Sequence, residues 1–122
     1  MWTPRRVLIV DDNVDSAEML AVNLQMAGHD VRTTYSGQDA LRLATEYRPD
    51  VVLLDLGMPG MDGYEIARRL RELRGVGDLR IVAITGYGEE AHRRRTRAAG
   101  FSEHLVKPVD LDGLTGILSA AD

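Results

Sequence analysis

Three short runs of purely apolar residues constrain the fold of this chain most. They are residues 7–10, 51–54 and 81–84, and they are rich in β-branched side chains. Four residues are too few for a buried helix, and β-branched side chains favour extended backbone. Runs that are apolar at every position are typical of strands covered on both faces, as in parallel sheets. Two weaker strands are predicted beside them: an edge strand at residues 31–35, and residues 104–106 before a Lys-Pro pair.

Helical periodicity fills the intervals between these strands. Gly28 and Gly100 are placed to end two of the helices, and Ser36 (with Asp39 three residues later) and Asp110 are placed to cap two others. A weaker helix is predicted over residues 89–99. The other four predicted apolar stripes are Ala17, Leu20, Ala21 and Leu24; Ala40, Leu41 and Ala44; Ile66, Ala67, Leu70 and Leu73; and Leu111, Leu114, Ile117 and Leu118. This β-α alternation predicts the α/β class, with one doubly wound parallel sheet and helices on both faces.

Length and composition limit what such a chain can do. Its 122 residues, 44% of them hydrophobic, fit a single domain over residues 1–122, with residues 74–78 as a loop. A net charge of −4 argues against binding to nucleic acid or anionic membranes. The absence of cysteine excludes disulfides and thiolate sites. The apolar runs are too short for a signal peptide or a membrane span, so we expect a cytoplasmic protein.

Polar side chains follow four of the predicted strands directly. Asp11 and Asp12 follow the first strand, Asp55 the third, Thr85 and Gly86 the fourth, and Lys107 the fifth. The carboxyl ends of parallel strands meet at one edge of the sheet, where ligands bind in open α/β folds. Converging carboxylates repel each other unless a cation joins them, and an all-oxygen site suits Mg²⁺. Each aspartate taken alone is explained equally well as a cap of the following loop or helix.

Lys107 is the only lysine among the 15 basic residues. An ammonium group acts as a compact point charge toward a phosphate or a carboxylate, whereas arginine presents a planar fork. Chance also explains a single lysine, so this observation supports an anion-binding role without establishing it.

Four motifs at these strand ends resemble the receiver domains of bacterial two-component response regulators, and the resemblance extends over nearly the whole chain. The motifs are Val-Leu-Ile-Val-Asp-Asp-Asn (7–13), Leu-Leu-Asp-Leu-Gly-Met-Pro-Gly-Met-Asp-Gly (53–63), Ile-Thr-Gly (84–86) and Leu-Val-Lys-Pro (105–108). The close of the chain, residues 101–108, is similar to receivers at the C-terminus of hybrid sensor histidine kinases.

The resemblance implies a flavodoxin-like sheet in the order 2-1-3-4-5 and a signalling domain rather than an enzyme. It implies that Asp55 is the phosphoacceptor, taking a phosphoryl group from a histidine kinase or a histidine phosphotransfer protein. The implied cofactor is Mg²⁺ or Mn²⁺, held by Asp11, Asp12, Asp55 and the backbone carbonyl of Gly57. Phosphoryl contacts are implied for Thr85, Gly86 and Lys107, together with a cis peptide between Lys107 and Pro108.

The resemblance also implies a conformational switch in which Thr85 and the residue three positions before the lysine move together. That residue is His104 here rather than Tyr or Phe. The downstream protein partner would bind the surface formed by the predicted helix at 89–99, the fifth strand and the last helix. Gly57 and Tyr87 occupy the positions that tune hydrolysis of the acyl phosphate in the family. The run at 92–97, rich in arginine, is interpreted as a solvated face, with a protein-docking surface as the main alternative.

Three alternatives compete with this interpretation. Residues 86–91 fit the dinucleotide pattern G-x-G-x-x-A, but too few residues follow for the rest of that fold, and Glu89 and Glu90 would repel a pyrophosphate. An aspartyl phosphatase normally carries a second acid where Gly57 stands. A flavodoxin-like electron carrier needs a phosphate loop after the first strand, where Asp11 and Asp12 are unfavourable.

Overall fold

The sheet has five parallel strands in the order β2-β1-β3-β4-β5. The computed structural model describes residues 4–58, 60, 62–74, 79–86, 98–107 and 109–119. The strands are β1 (Arg6–Val10), β2 (Asp30–Thr34), β3 (Val51–Asp55), β4 (Arg80–Thr85) and β5 (Glu103–Val106). The helices of the described residues are α1 (Val14–Met26), α2 (Gly37–Tyr47), α3 (Gly63–Arg74) and α4 (Leu111–Ser119). The predicted fold class and sheet order are confirmed, and each predicted strand end lies within one residue of the observed end.

The central strands are buried on both faces because helices cover both sides of the sheet. In β1, Leu8 and Val10 belong to a core shared with α2 and α3. Val7 and Ile9 of the same strand belong to a second core, shared with α1 and α4. Alternate side chains of a strand point to opposite faces, so a run that is apolar throughout fills two cores at once.

Local signals set most of the helix ends. Asn13 is the N-cap of α1, and its Oδ1 accepts the Ser16 N–H at 3.0 Å. Ser36 is the predicted N-cap of α2, and its Oγ accepts the Asp39 N–H at 3.2 Å. Gly28 follows α1 with φ 99°, a left-handed conformation that glycine adopts without strain. The sequence did not predict that Arg48, at φ 53°, would end α2 in the same region.

Two predicted stripe residues are exposed rather than buried. Leu73, in the last turn of α3, is 50% exposed, and Leu111, the first residue of α4, is 42% exposed. Periodicity marks the inward face of a helix, but it does not show where the helix runs beyond the sheet that it covers. At the end of α3 the inward contact is polar instead: Arg71 donates to the backbone carbonyls of Leu79 and Gly100.

Several predictions fall outside the described residues. These are the helix at 89–97, the position of Tyr87, the charge run at 92–97 and the cis peptide at Pro108. The loop predicted at 74–78 begins one residue later than expected, because Arg74 is the last residue of α3, and residues 75–78 lie outside the described residues. The end of the predicted helix is described, and Gly100 follows it with φ 93°, as expected for a helix stop. Within the part of the chain that the structure describes, no helix is long and apolar enough to cross a membrane.

Candidate functional site

The carboxyl edge of the sheet holds the predicted site, and neighbouring strands fix its backbone. The Asp11 N–H donates to the Thr34 carbonyl at 3.1 Å, which ties the end of β1 to β2. Leu56, directly after Asp55, donates to the Ile84 carbonyl at 2.9 Å, and Lys107 donates to the Thr85 carbonyl at 2.8 Å. The ladder therefore continues past the strand ends and holds the functional residues in register.

Three carboxylates meet at this edge. One oxygen from each of Asp11, Asp12 and Asp55 lies within 4.8 Å of the others. Asp11 and Asp55 are buried, whereas Asp12 is exposed. Backbone N–H groups orient the two buried carboxylates: Asn13 donates to Asp11 Oδ1 at 3.0 Å, and Gly57 donates to Asp55 Oδ1 at 2.8 Å.

Lys107 brings the positive charge to the centre of this cluster. Its Nζ donates to Asp55 Oδ2 at 2.7 Å and lies 4.0 Å from Asp11 Oδ2. Asp55 therefore accepts a hydrogen bond on each carboxylate oxygen, one from Gly57 and one from Lys107. An ionised pair at this distance forms a strong, charge-assisted hydrogen bond.

The pKa values of two groups respond to this crowding. Burial raises the pKa of Asp11, the nearby Asp55 raises it further, and the Asn13 N–H and Lys107 oppose the rise only in part. Burial alone would lower the pKa of Lys107, but the hydrogen bond and charge of Asp55, with the charges of Asp11 and Asp12, raise it overall. Negative charge is therefore in excess at this edge, and a further cation would relieve it.

Thr85 and Gly86 end the neighbouring strand β4. Thr85 is buried, and Gly86 is exposed. A Cβ built on Gly86 would meet no heavy atom of the described residues within 4 Å, so this part of the structure leaves space for a ligand beside the Gly86 backbone. In the adjacent strand β5, His104 pairs with Ala83 and Val106 pairs with Thr85. His104, which is partly buried, thus lies two residues along the strand from the position opposite Thr85.

A groove of about 640 Å³ opens beside the carboxylates, and the sequence analysis did not predict it. Asp11, Gly86 and Lys107 line one end. Its remaining lining comes from α1, β4 and the segment that leads into α4: Ser16, Met19, Leu20, Asn23, Ile84, Val109 and Leu111. The only sequence signal for it was Met19, an apolar residue of α1 that stands outside the predicted buried stripe.

The arrangement supports binding of a hard cation next to an anion. Three carboxylates offer the oxygen ligands that Mg²⁺ prefers. A lysine ammonium, a threonine at a strand end and an open backbone at Gly86 are suited to an oxyanion beside Asp55. The structure thus brings Asp11, Asp12, Asp55, Thr85, Gly86 and Lys107 to one edge of the sheet, as the sequence predicted.

Comparison with known proteins identifies similar chains. A family model described as the response regulator receiver domain matches residues 7–119. The phosphate regulon regulatory protein PhoB of Pseudomonas aeruginosa is 34% identical over 116 residues, which cover 95% of this chain and 51% of PhoB. The chain spans about half the length of such transcriptional regulators.

Solved structures give the same likeness in three dimensions. The chemotaxis protein CheY4 of Vibrio cholerae aligns with a TM-score of 0.89 at 30% identity, covering 98% of this chain and all of that chain (100%). The receiver domain of Ssk1 from Saccharomyces cerevisiae, crystallised with the histidine phosphotransfer protein Ypd1, aligns with a TM-score of 0.87 at 25% identity, covering 97% and 88% of the two chains.

Proposed function

Because this chain belongs to the response regulator receiver domain family of two-component signalling, we propose that Asp55 accepts a phosphoryl group from a phosphohistidine of a partner protein. The observation that carries the proposal is the position of Asp55. Its carboxylate lies within 4.8 Å of two other carboxylates and 2.7 Å from the ammonium of the only lysine.

A divalent metal fits this cluster. Asp11, Asp12 and Asp55 would hold Mg²⁺ or Mn²⁺, with the backbone carbonyl of Gly57 as a further ligand. The metal would supply positive charge next to the transferred group, which is the main requirement of phosphoryl transfer. The raised pKa of Asp11, which follows from burial and from Asp55, supports the need for such a cation.

In the transfer step, a carboxylate oxygen of Asp55 attacks phosphorus in line with the phosphohistidine nitrogen. A P–O bond forms, the P–N bond breaks, and its electron pair returns to the imidazole of the donor. Lys107 leaves its hydrogen bond with Asp55 and pairs with a phosphoryl oxygen. The Thr85 hydroxyl and the Gly86 backbone contact the other phosphoryl oxygens.

The phosphoryl donor is a histidine kinase or a histidine phosphotransfer protein that docks along α1. The groove runs beside α1 and is lined by Asp11 and by Lys107, which bonds Asp55, so a protein that docks on α1 would lie next to the proposed phosphoacceptor. Met19 of α1, which lines this groove, is 70% exposed. The crystal structure of Ssk1 with Ypd1 shows that a related receiver binds a phosphotransfer protein.

The domain works by holding and losing one phosphoryl group, not by turning over an external substrate. Gly57 stands where an aspartyl phosphatase would carry its second acid, and a Cβ there would lie 3.3 Å from Asp55 Oδ1. Phosphorylation changes the surface of β5, α4 and residues 89–99, to which a downstream protein binds.

Labelling with a small phosphodonor tests the phosphoacceptor. With acetyl phosphate and Mg²⁺, we expect the intact mass to rise by one phosphoryl group that hydroxylamine removes, and we expect no rise in Asp55→Asn. Lys107→Arg should label at least tenfold more slowly, because a guanidinium cannot replace the compact ammonium here. Equal labelling of wild type and Asp55→Asn would contradict the assignment.

The proposed docking of the donor along α1 is tested by repeating the labelling with a phosphorylated phosphotransfer protein in place of acetyl phosphate. Met19→Glu places a charge in the groove without touching the carboxylates. We expect this variant to accept phosphoryl from acetyl phosphate at the wild-type rate but from a phosphotransfer protein more slowly. A matched control is Leu73→Glu, an exposed position on α3 away from the groove, which should change neither rate. Equal slowing in both variants would argue against docking along α1.

A further inference from the structure

Two arginine side chains bind the carboxyl end of α4. They lie at the amino edge of the sheet, opposite to the edge that carries Asp55. Arg80, the first residue of β4, donates from Nη1 to the Ile117 carbonyl at 2.7 Å. Arg5, directly before β1, donates from Nε to the Leu118 carbonyl at 3.1 Å. The last carbonyls of a helix have no partner within the helix, and a cation there also interacts favourably with the helix dipole.

α4 depends on this support more than a typical helix does. It has nine residues, includes Gly113 and Gly116, and contains no basic residue. Isolated helices shorter than about 12 residues are marginal in water, and each glycine costs roughly 1 kcal/mol relative to alanine. Its apolar anchors are Leu114 and Leu118, which are fully buried.

A buried histidine fixes the backbone of Arg5. The Arg5 N–H donates to His29 Nδ1 at 2.9 Å, and the Arg5 carbonyl accepts the Asp30 N–H at 3.0 Å. His29 lies directly before β2 and is 6% exposed. The contacts therefore run from the His29 ring to the Arg5 backbone, and from the Arg5 side chain to the end of α4.

We infer that Arg5 and Arg80 form a latch on the carboxyl end of α4, and that proton uptake by His29 releases the Arg5 half of this latch. Only a neutral imidazole with a free lone pair on Nδ1 accepts the Arg5 N–H. Once protonated, the ring donates at both nitrogens, so the hydrogen bond is lost and a second cation stands beside Arg5.

The surroundings of His29 favour its neutral form in the folded chain. Burial lowers its pKa below the usual 6.5, and the positive charge of Arg5 lowers it further. Asp30 is the next residue after His29 and begins β2. The Asp30 backbone carbonyl accepts a hydrogen bond from the Tyr47 hydroxyl of α2 at 2.9 Å. The last turns of α1 and α4 carry no basic side chain. Because the folded pKa is depressed, the latch is complete above pH 6.5 and weakens as the pH falls below that value.

Amide hydrogen exchange of the full chain, followed residue by residue by NMR between pH 8 and pH 5, tests the latch. We expect the opening constant of the α4 amides around Leu114 to rise about fivefold over this range, the effect of one lost hydrogen bond. His29→Asn keeps an acceptor near the position of Nδ1 but cannot be protonated, so its α4 opening should not depend on pH. His104→Asn is the matched control and should keep the pH dependence.

Two arginine variants separate the latch from a general effect of His29. In Arg5→Met the backbone N–H remains, so the His29 ring should still titrate while α4 opening becomes independent of pH. Arg80→Met should raise α4 opening about fivefold at pH 8 and keep the pH response. Constant α4 protection in the wild type while His29 titrates, or an undiminished pH response in Arg5→Met, would overturn the inference. Because phosphorylation is not measured, failure of the latch would leave the proposed role of Asp55 untouched.

Discussion

At the scale of single residues, hydrogen bonds orient the two buried carboxylates at the carboxyl edge of the sheet. Asp55 accepts the Gly57 N–H on one oxygen and Lys107 Nζ on the other. Asp11 is oriented by the backbone N–H of Asn13, the residue whose side chain caps the start of α1. Such contacts hold charged groups together that would otherwise repel. The pKa of Asp11 is raised first by burial and then by the nearby Asp55.

We predict that Asp11→Asn stabilises the metal-free protein. Asparagine removes a buried negative charge that lies close to Asp12 and Asp55, and the gain should be on the order of 1 kcal/mol in the free energy of unfolding at pH 7. Urea unfolding in the presence of EDTA measures this change.

Asp39→Asn is the control for this comparison. Asp39 pairs with Arg42 on the surface of α2, where both side chains are largely exposed. Exposed ion pairs contribute little, so the stability of this variant should stay within about 0.5 kcal/mol of wild type. With Mg²⁺ in place of EDTA, the advantage of Asp11→Asn should shrink, because the variant loses a metal ligand. An Asp11→Asn protein less stable than wild type in EDTA would count against charge repulsion at this edge.

At the scale of elements, α2 is anchored to the sheet by its last residue. Tyr47 is buried, and its hydroxyl donates to the Asp30 carbonyl at the start of β2. The guanidinium carbons of Arg6 and Arg32 lie 4.5 and 5.1 Å from the centre of its ring. One aromatic side chain thus joins α2, β1 and β2 through a hydrogen bond and two cation–π contacts.

We predict that Tyr47→Phe lowers the free energy of unfolding by about 1 kcal/mol at pH 8, the usual effect of one hydrogen bond, because the ring and its cation–π contacts remain. Burial and the neighbouring Asp30 raise the pKa of Tyr47 to about 12. A raised folded pKa stabilises the protein below pH 10, and this contribution is lost as the pH rises toward 12.

Denaturant unfolding at pH 8 and at pH 11 measures the Tyr47 effect. The difference between wild type and Tyr47→Phe should be smaller at pH 11, since the variant has no group to titrate at this position. Tyr35→Phe serves as the control, because Tyr35 is exposed and its hydroxyl pairs with the side chain of the nearby Thr33. A difference that grows with pH would contradict the buried, protonated state of Tyr47.

At the scale of the whole molecule, the sheet separates two proposed functional regions. Its carboxyl edge carries the carboxylate cluster with the proposed phosphoacceptor, and its amino edge carries the contacts of Arg5 and Arg80 with the carboxyl end of α4. α4 connects them, since it begins four residues after Lys107 and ends against Arg5 and Arg80. A change at Asp55 can therefore reach the surface of β5 and α4 through the chain that carries Lys107.

We predict that beryllofluoride with Mg²⁺, an analogue of the phosphoryl group, shifts the NMR signals of His104 in β5 and of residues around Leu114 in α4. The physical reason is that Thr85 and Lys107 are drawn toward the new oxyanion, and both belong to this side of the sheet. Such shifts report a change between two conformations of the protein, and the bound anion favours one of them through the contacts that it makes only there. Perturbation confined to residues 55–58 would refute a readout on this surface.

The sequence by itself determined the fold class, the strands and the site edge. The apolar runs at 7–10, 51–54 and 81–84 can be satisfied only where both faces of a strand are covered, so they required a two-sided sheet. Residues that follow parallel strands must meet at one edge of the sheet, so the strand ends alone predict that Asp11, Asp55 and Lys107 lie together. Ser36 was likewise predicted as a cap, because its side chain acts on a backbone three residues away.

Only the tertiary structure decided what depends on neighbours distant in sequence. Leu73 and Leu111 carry the right periodicity but are exposed at the end of α3 and at the start of α4, and helical spacing does not show how far along a helix its apolar face stays covered. The groove beside Asp11 and the latch through Arg5 join residues up to 113 positions apart, for which no local pattern exists. Local propensity acts over a few residues, whereas burial and long-range hydrogen bonds are properties of the assembled chain. For that reason the sequence predicted the edge where the carboxylates meet, but not the contacts that surround them.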